Sequence, residues 1–254
     1  MISYVGQHIF HKAHAFGEFM YFSYDIFKAI VWGKLRFKNI VHQMVCLGIE
    51  SLPVVSITIL FSGMAFGIQI VKELLRFGAP DLVGGVMALA LWRELSPLLT
   101  GIVLAGRVGA FITAEIGAMK VNEQIDALMV MGQDPIAYLA APRLVAILFF
   151  GPLLVGFADI IGVIGGLLVA LSSNAVSYTS FFTSANVMLG SFDIISGLIK
   201  AIVFSIIIGL NATYLGFCVK DGSHDVGAKT TIGVVRNITL IFILNYIISA
   251  ILFG

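Results

Sequence analysis

Arg93 and Glu94 stand side by side within a long, largely apolar stretch, and Pro97 follows three residues later. In hydrocarbon each such charge costs about 2.5 to 3.5 kcal/mol on insertion scales, so it turns toward a bundle interior, a partner of opposite charge or a water-filled path. Pro97 has no N–H to give to the carbonyl of Arg93, so a helix through this point is weakened or kinked where the charges sit. Two roles fit: a polar feature on a substrate path through an apolar body, or an ion pair that satisfies the kink. Asp159 is isolated in a later apolar run. It suits either a hydrogen bond between packed helices or a place on the same path.

Other chemistry finds no support. His8, His11 and His14 recur every three residues, which spreads them over about 120° of a helix surface, and no carboxylate or cysteine joins them at ligand spacing. No metal site is expected. Phosphate-loop, serine-elbow and HExxH patterns are absent, so neither nucleotide hydrolysis nor hydrolytic chemistry is assigned to this chain. If it transports at the expense of ATP, the ATPase is another polypeptide. Cys46 and Cys218 match no metal or redox spacing and are expected to be buried and unpaired. A net charge of +1 gives no basic face for nucleic acid.

The elements that must hold these residues are membrane-spanning helices. Of 254 residues, 59% are apolar and 11% charged, against about 25% charged in a soluble domain. Charge-free runs cover 51–71, 144–158, 160–192, 201–219 and 237–254. A bilayer core about 30 Å thick needs roughly 20 apolar residues of helix, because lipid offers no partner to a bare backbone amide. The runs lack the alternation of barrel strands. The expected fold is therefore all-α and integral to the membrane, with about five spans near 51–71, 82–114, 144–171, 194–219 and 232–253. Residues 1–40 form an N-terminal interfacial region, since Phe16, Phe19, Tyr24 and Phe27 alternate with Glu18, Asp25 and Lys28 as in a helix lying in the membrane surface. No compact signal-peptide core precedes a cleavage site there. Residues 41–254 form a single membrane domain. Gly63 and Gly67, four apart in the first span, permit close helix packing.

Lysine and arginine in short loops set the orientation. The N-terminal stretch carries five, the 119–143 link two and the 220–236 link three, whereas the 172–192 loop carries none. The N-terminus and the 119–143 and 220–231 loops are expected on the cytoplasmic side and the C-terminus opposite. Lys72 and Arg76 run against this trend.

The stretch 115–134, EIGAMKVNEQIDALMVMGQD, is helical in pattern but too polar for lipid. At 100° per residue Ala118, Val121, Ile125, Leu128 and Met129 share one arc, and Lys120, Glu123 and Asp126 another. This predicts a surface helix over about 115–131, ended by Gly132, Asp134 and Pro135. A plain connection needs only a few residues, so the excess suggests a docking element for a cytosolic partner.

Taken whole, RELSPLLTGIVLAGRVGAFITAEIGAMKVNEQIDALMVMGQDP from Arg93 to Pro135 strongly resembles the signature of MlaE-type ABC permeases, the membrane subunits of systems that maintain lipid asymmetry. The similarity runs from about residue 45 to the end, through PRL at 142–144, DIIGVIGG at 159–166, GLIK at 197–200 and VGAKTT at 226–231. The resemblance implies a homodimer, two cytosolic or stromal ABC ATPase subunits that bind the ATP and Mg, an MCE-type substrate-binding ring on the opposite side, and phospholipid or a related lipid as cargo. It places the chain in a bacterial cytoplasmic membrane or a plastid inner envelope. It makes the 115–131 helix the coupling helix, with Glu115, Gly117, Lys120, Glu123, Gln124 and Asp126 at the contact, and puts Arg93, Glu94, Pro97 and Asp159 on the lipid path. Two positions depart from the family pattern. Ser96 replaces a glycine before the proline, adding a hydroxyl able to bond a backbone carbonyl at the kink, and Asn245 stands where relatives carry an aspartate. An ion-coupled secondary transporter would also use intramembrane charges, but no inverted repeat is visible. A membrane anchor for a soluble complex would need the docking helix and not the charges, and an intramembrane enzyme would need a nucleophile or metal set that the chain lacks.

Overall fold

A computed structural model describes residues 2–32, 35–174, 176–220 and 222–254, with side chains from residue 13 onward except Ala15. The side chains of His8 and His11, and Lys34 among the basic residues of the N-terminal stretch, lie outside the described residues. Among the described residues there is helix and no strand. Helix α1 runs Ile2–Trp32 and α2 Phe37–Leu47. A short tight turn, Ile49–Ser51, leads into α3, Leu52–Arg76, with Pro53 in its first turn, where a missing N–H costs nothing. Then follow α4, Pro80–Val121, α5, Gln124–Val130, and α6, Ile136–Ser172. The chain ends with α7, Tyr178–Met188, α8, Ser191–Phe217, and α9, Gly222–Phe253. Five helical stretches, Phe37–Arg76, α4, α6, α8 and α9, are long and apolar enough to cross a membrane. They overrun the apolar runs at several ends, because a helix continues into the polar interface wherever its backbone bonds still close.

α3 and α6 pack through glycine on both sides. A Cβ on Gly63 would lie 2.5 Å from the carbonyl oxygen of Gly162, and one on Gly165 2.5 Å from that of Leu60. The Gly63 and Gly67 pair thus meets Gly162 and Gly166, and the two backbones approach as only small residues allow. Val55, Ile59 and Ala158 are fully buried beside this seam.

α1 lies against the bundle rather than through it. Ile26 is fully buried, and Phe19 and Phe22 pack edge-on to Tyr214 of α8 at 5.3 and 5.6 Å. Arg236 of α9 sits over the Phe19 ring. The opposite side of α1 exposes Phe16, Tyr21, Tyr24 and Trp32. At the other end of the bundle α7 is capped by Ser177, whose hydroxyl accepts from the Ser180 N–H, and it abuts Gly84 and Gly85 of α4.

The long helix α4 is not uniform. Its turns widen to the π form at Leu91–Leu95 and again at Ala105–Gly109, and α6 begins with a third such segment, Ile136–Ala140. Each wide turn takes up an extra residue, a feature frequent at functional sites. The first lies immediately before Pro97, so the break that proline imposes is absorbed as a widened turn.

The single surface helix expected over 115–131 is instead two pieces. α4 continues to Val121, the chain turns at Asn122 and Glu123 with Glu123 at φ 58°, and α5 begins at Gln124. The shared arc of Ala118, Val121, Ile125, Leu128 and Met129 does not exist, because a left-handed residue separates its halves. Of the five, only Ile125 is buried.

Candidate functional site

Arg93 and Glu94 are carried on the widened turn of α4, and they do not pair with each other. Arg93 Nε donates to Asp193 Oδ1 at 2.5 Å, and its guanidinium stacks on Phe253 at 4.5 Å from the ring centre. Asp193 lies in the first turn of α8, and its second oxygen accepts from the Gly190 N–H at 2.7 Å, so one carboxylate both caps a helix and holds the arginine. Glu94 Oε1 meets Lys200 Nζ of α8 at 2.8 Å and the Ser249 hydroxyl at 2.7 Å, while Oε2 accepts from Asn245 Nδ2 at 2.8 Å.

The Lys200 side chain is wholly buried, and its ammonium also donates to the carbonyl of Arg93 at 2.6 Å. By the regular i to i−4 count that carbonyl faces Pro97, which has no N–H to give. A buried cation fills the acceptor, and the same cation holds the carboxylate one residue later. Pro97 also touches Gly197 across the α4–α8 contact. Two acids and two bases are formally balanced, and together they join α4, α8 and α9. Arg93 and Glu94 keep 39% of their side-chain surfaces open, whereas Asp193 keeps 5% and Lys200 none. The cluster has a sealed back and an open front, a form suited to a polar head group at the edge of an apolar space.

Asp159 lies apart from this group. It is 2% exposed on α6 beside Ser96, without an ion pair among the described residues. Its Oδ1, the Ser96 hydroxyl and the Thr100 hydroxyl are buried without a hydrogen-bond partner there. The expectation that Ser96 bonds a carbonyl at the kink is thus corrected: its hydroxyl faces α6, and Lys200 takes the carbonyl.

At the opposite end of α4 the residues named for coupling divide. Glu115 turns inward and pairs with Arg143 of α6 at 2.6 Å, and Arg143, 3% exposed, also donates to the Leu139 carbonyl at 2.7 Å. Gly117 is buried, with Val219 and Val226 at 3.0 and 3.3 Å from where a Cβ would be. Lys120 reaches Asp126 at 3.4 Å across the turn, and Glu123, Gln124 and Asp126 are exposed beside Met129, Val130 and Met131. Four of the six form one projecting tip, and two belong to the bundle beneath it.

His14 pairs with Glu18 at 3.4 Å, and no group of three metal-ligating side chains occurs among the described residues. Cys46 and Cys218 are partly buried free thiols. Sequence reasoning missed Lys200, Asp193 and Ser249. The signal was available for the first two: they interrupt the apolar runs 160–192 and 201–219 and are seven residues apart, which puts them on one helix face.

A family model described as Permease MlaE matches residues 40–251. A probable ABC transporter permease protein of Rickettsia typhi is 42% identical over 249 residues, covering 98% of this chain and 96% of that protein. The Arabidopsis thaliana protein TRIGALACTOSYLDIACYLGLYCEROL 1, chloroplastic, is 39% identical over 224 residues, 88% of this chain and 64% of that one. The intermembrane phospholipid transport system permease protein MlaE of Haemophilus influenzae is 35% identical over 256 residues, 100% of this chain and 97% of that one.

Proposed function

The chain belongs to the MlaE permease family, and on that footing we propose that it is the membrane subunit of an ABC transporter that moves phospholipid or a related lipid. ATP is bound with Mg and hydrolysed on a separate cytosolic or stromal ATPase. The observation that carries the reading is the cluster of Arg93, Glu94, Asp193 and Lys200, a neutral and half-open polar site in a body otherwise suited to acyl chains. The name of the Haemophilus relative supports a phospholipid cargo and that of the Arabidopsis relative a chloroplast counterpart, and with five spanning helices they fit a bacterial cytoplasmic membrane or a plastid inner envelope.

The working unit is a homodimer. α9 leaves Ile232, Val235, Phe242, Ile243, Tyr246 and Ile251 between 51% and 76% exposed, a stripe that a second copy would cover beside the open front of the cluster. The tip from Lys120 to Met131 is the coupling element that enters the ATPase. α7, at the other end, faces an MCE-type substrate-binding protein. Closure of the ATPases on ATP presses both tips, the force enters α4 directly because the tip begins in its last turn, and the Glu115–Arg143 pair passes it on to α6. The widened turns are where α4 yields, since they already lack regular i to i−4 bonding.

The test is co-purification with candidate ATPase subunits and measurement of bound lipid and ATPase activity, for wild type and for Glu123→Arg with Asp126→Arg. The wild type is expected to bring down an ATPase and phospholipid, and the double variant to lose the ATPase while keeping its fold. An ATPase that never associates with wild type sinks the reading.

A further inference from the structure

Where α2, the end of α4 and the start of α6 meet, a cavity of about 340 Å³ opens at the end of the bundle that the loop charges assign to the cytoplasm, lined by Lys38, His42, Gln43, Glu115, Tyr138 and Arg143 among others. It is remote from Arg93 and Glu94. Glu94 and Glu115 are 21 residues apart on one helix, roughly 30 Å at 1.5 Å per residue.

Its walls are chemically mixed in a definite way. Arg143 is nearly sealed and committed to Glu115 and the Leu139 carbonyl, so its charge is balanced within the wall. Lys38 is exposed at the mouth and takes no ion pair among the described residues, and His42 stands one turn along on the same side of α2. Gln43 is 9% exposed, and its Oε1 is buried with no hydrogen-bond partner among the described residues. A buried amide oxygen left so costs about 1 to 3 kcal/mol, which a ligand's donor would recover. Beside the cavity Phe37, Val41 and Val45 of α2 and Ile49 of the turn that follows it recur at four-residue spacing, 77%, 40%, 41% and 49% exposed. One face of α2 is thus an apolar track that leads on to exposed Val54, Ile57 and Phe61 of α3, while the adjacent side carries the cations.

We infer that this cavity binds the phosphate-bearing head group of a phospholipid from the cytoplasmic leaflet, with its acyl chains along the track of Phe37, Val41, Val45 and Ile49. The phosphate meets Lys38 and His42 at the mouth. A hydroxyl or ammonium of the head group donates to Gln43 and to the free side of Glu115. The apolar track decides for a lipid over an acidic protein segment, because a protein partner from the cytosol has no use for a stripe that descends along a spanning helix. The inference rests on the membrane-embedded fold and on no assumption about cargo or ATPase. A phospholipid held here touches Glu115 and Arg143, the pair directly beneath the coupling tip, and so ties leaflet composition to the mechanical link.

The experiment is native mass spectrometry of the full chain purified in detergent micelles, titrated with phosphatidylglycerol, with diacylglycerol of the same chains and with inorganic phosphate. Wild type, Lys38→Glu, Gln43→Leu and the far-side control Lys72→Glu are compared after their helix content and melting are matched. Wild type and Lys72→Glu should retain one phosphatidylglycerol about tenfold more tightly than Lys38→Glu, with Gln43→Leu between them. Diacylglycerol should be held weakly, and millimolar phosphate should not displace the lipid. Equal retention by wild type and Lys38→Glu, equal retention of diacylglycerol, or displacement by phosphate alone would each overturn the proposal. So would a Lys38→Glu chain that keeps the lipid and loses the ATPase, which would make the cavity a protein docking site. Failure of the permease reading would leave the lipid titration unchanged.

Discussion

Replacing Lys200 by Met keeps the volume of the buried stem and removes the ammonium. Two acceptors are then abandoned: Glu94 Oε1, 2.8 Å away, and the Arg93 carbonyl, 2.6 Å away. Removing one member of a buried pair costs about 3 to 5 kcal/mol when the remaining charge has no other recourse. Glu94 does have recourse, with 39% of its side chain open and bonds from Asn245 and Ser249 intact, so its share falls to about 1 to 2 kcal/mol. The Arg93 carbonyl loses its ammonium donor and the proline at 97 has no N–H to replace it, and an unsatisfied buried acceptor adds about 1 to 3 kcal/mol. The sum is about 3 kcal/mol. Equilibrium unfolding in mixed micelles would read it, with Glu94→Gln and the Lys200→Met/Glu94→Gln double variant closing a cycle. The double variant should recover the share due to Glu94, about 1 to 2 kcal/mol, and not the share due to the carbonyl. If Lys200→Met lies within about 0.5 kcal/mol of wild type, as for an ordinary surface change, the argument from Pro97 to Lys200 is wrong.

Gly63→Leu forces a side chain into the carbonyl of Gly162, 2.5 Å from its Cβ, and should cost at least the 1 to 3 kcal/mol typical of overpacking, measured in the same unfolding assay. Asn245→Asp sets a second carboxylate where an amide now donates to Glu94 at 2.8 Å; it should destabilise at neutral pH by about 1 to 2 kcal/mol and regain stability as the pH falls and one of the two acids takes a proton, so a flat pH profile would count against it. Glu115→Gln leaves Arg143, 3% exposed, without its counter-charge; we expect a loss of about 3 kcal/mol and a fall in lipid-stimulated ATPase activity larger than any loss of ATPase binding, checked by pull-down alongside turnover.

The spans could be read from the sequence because lipid imposes one requirement on every residue of a run, and a charge-free run records it locally. Arg93, Glu94 and Asp159 were legible for the same reason, as breaches of that requirement. Their partners were not. Asp193 is 100 residues from Arg93 and Asn245 is 151 from Glu94, and nothing in a local pattern encodes which helices will be neighbours. Lys200 breaches the same requirement inside the expected span 194–219, but its acceptor at Arg93 lies 107 residues away. The error at 115–131 has another origin. Apolar periodicity persists through Asn122 and Glu123, and only the left-handed backbone at Glu123, unusual outside glycine and asparagine, breaks it. The tip kept its polar character in the sequence, whereas the inward turn of Glu115 and Gly117 depended on Arg143, Val219 and Val226, all distant in the chain.

The two widened turns of α4 also set a phase. Each inserts one residue beyond a regular helix, so everything after it is rotated by about 100° relative to an unbulged rod. Arg93 lies before one such step completes and Glu115 lies after both. The direction in which Glu115 meets Arg143 is thus counted out by the number of residues between them as much as by their kind. Along this helix the chain keeps a tally, and a single residue gained or lost between 91 and 109 would aim the end that carries Glu115 at a different neighbour while leaving composition and hydropathy almost untouched.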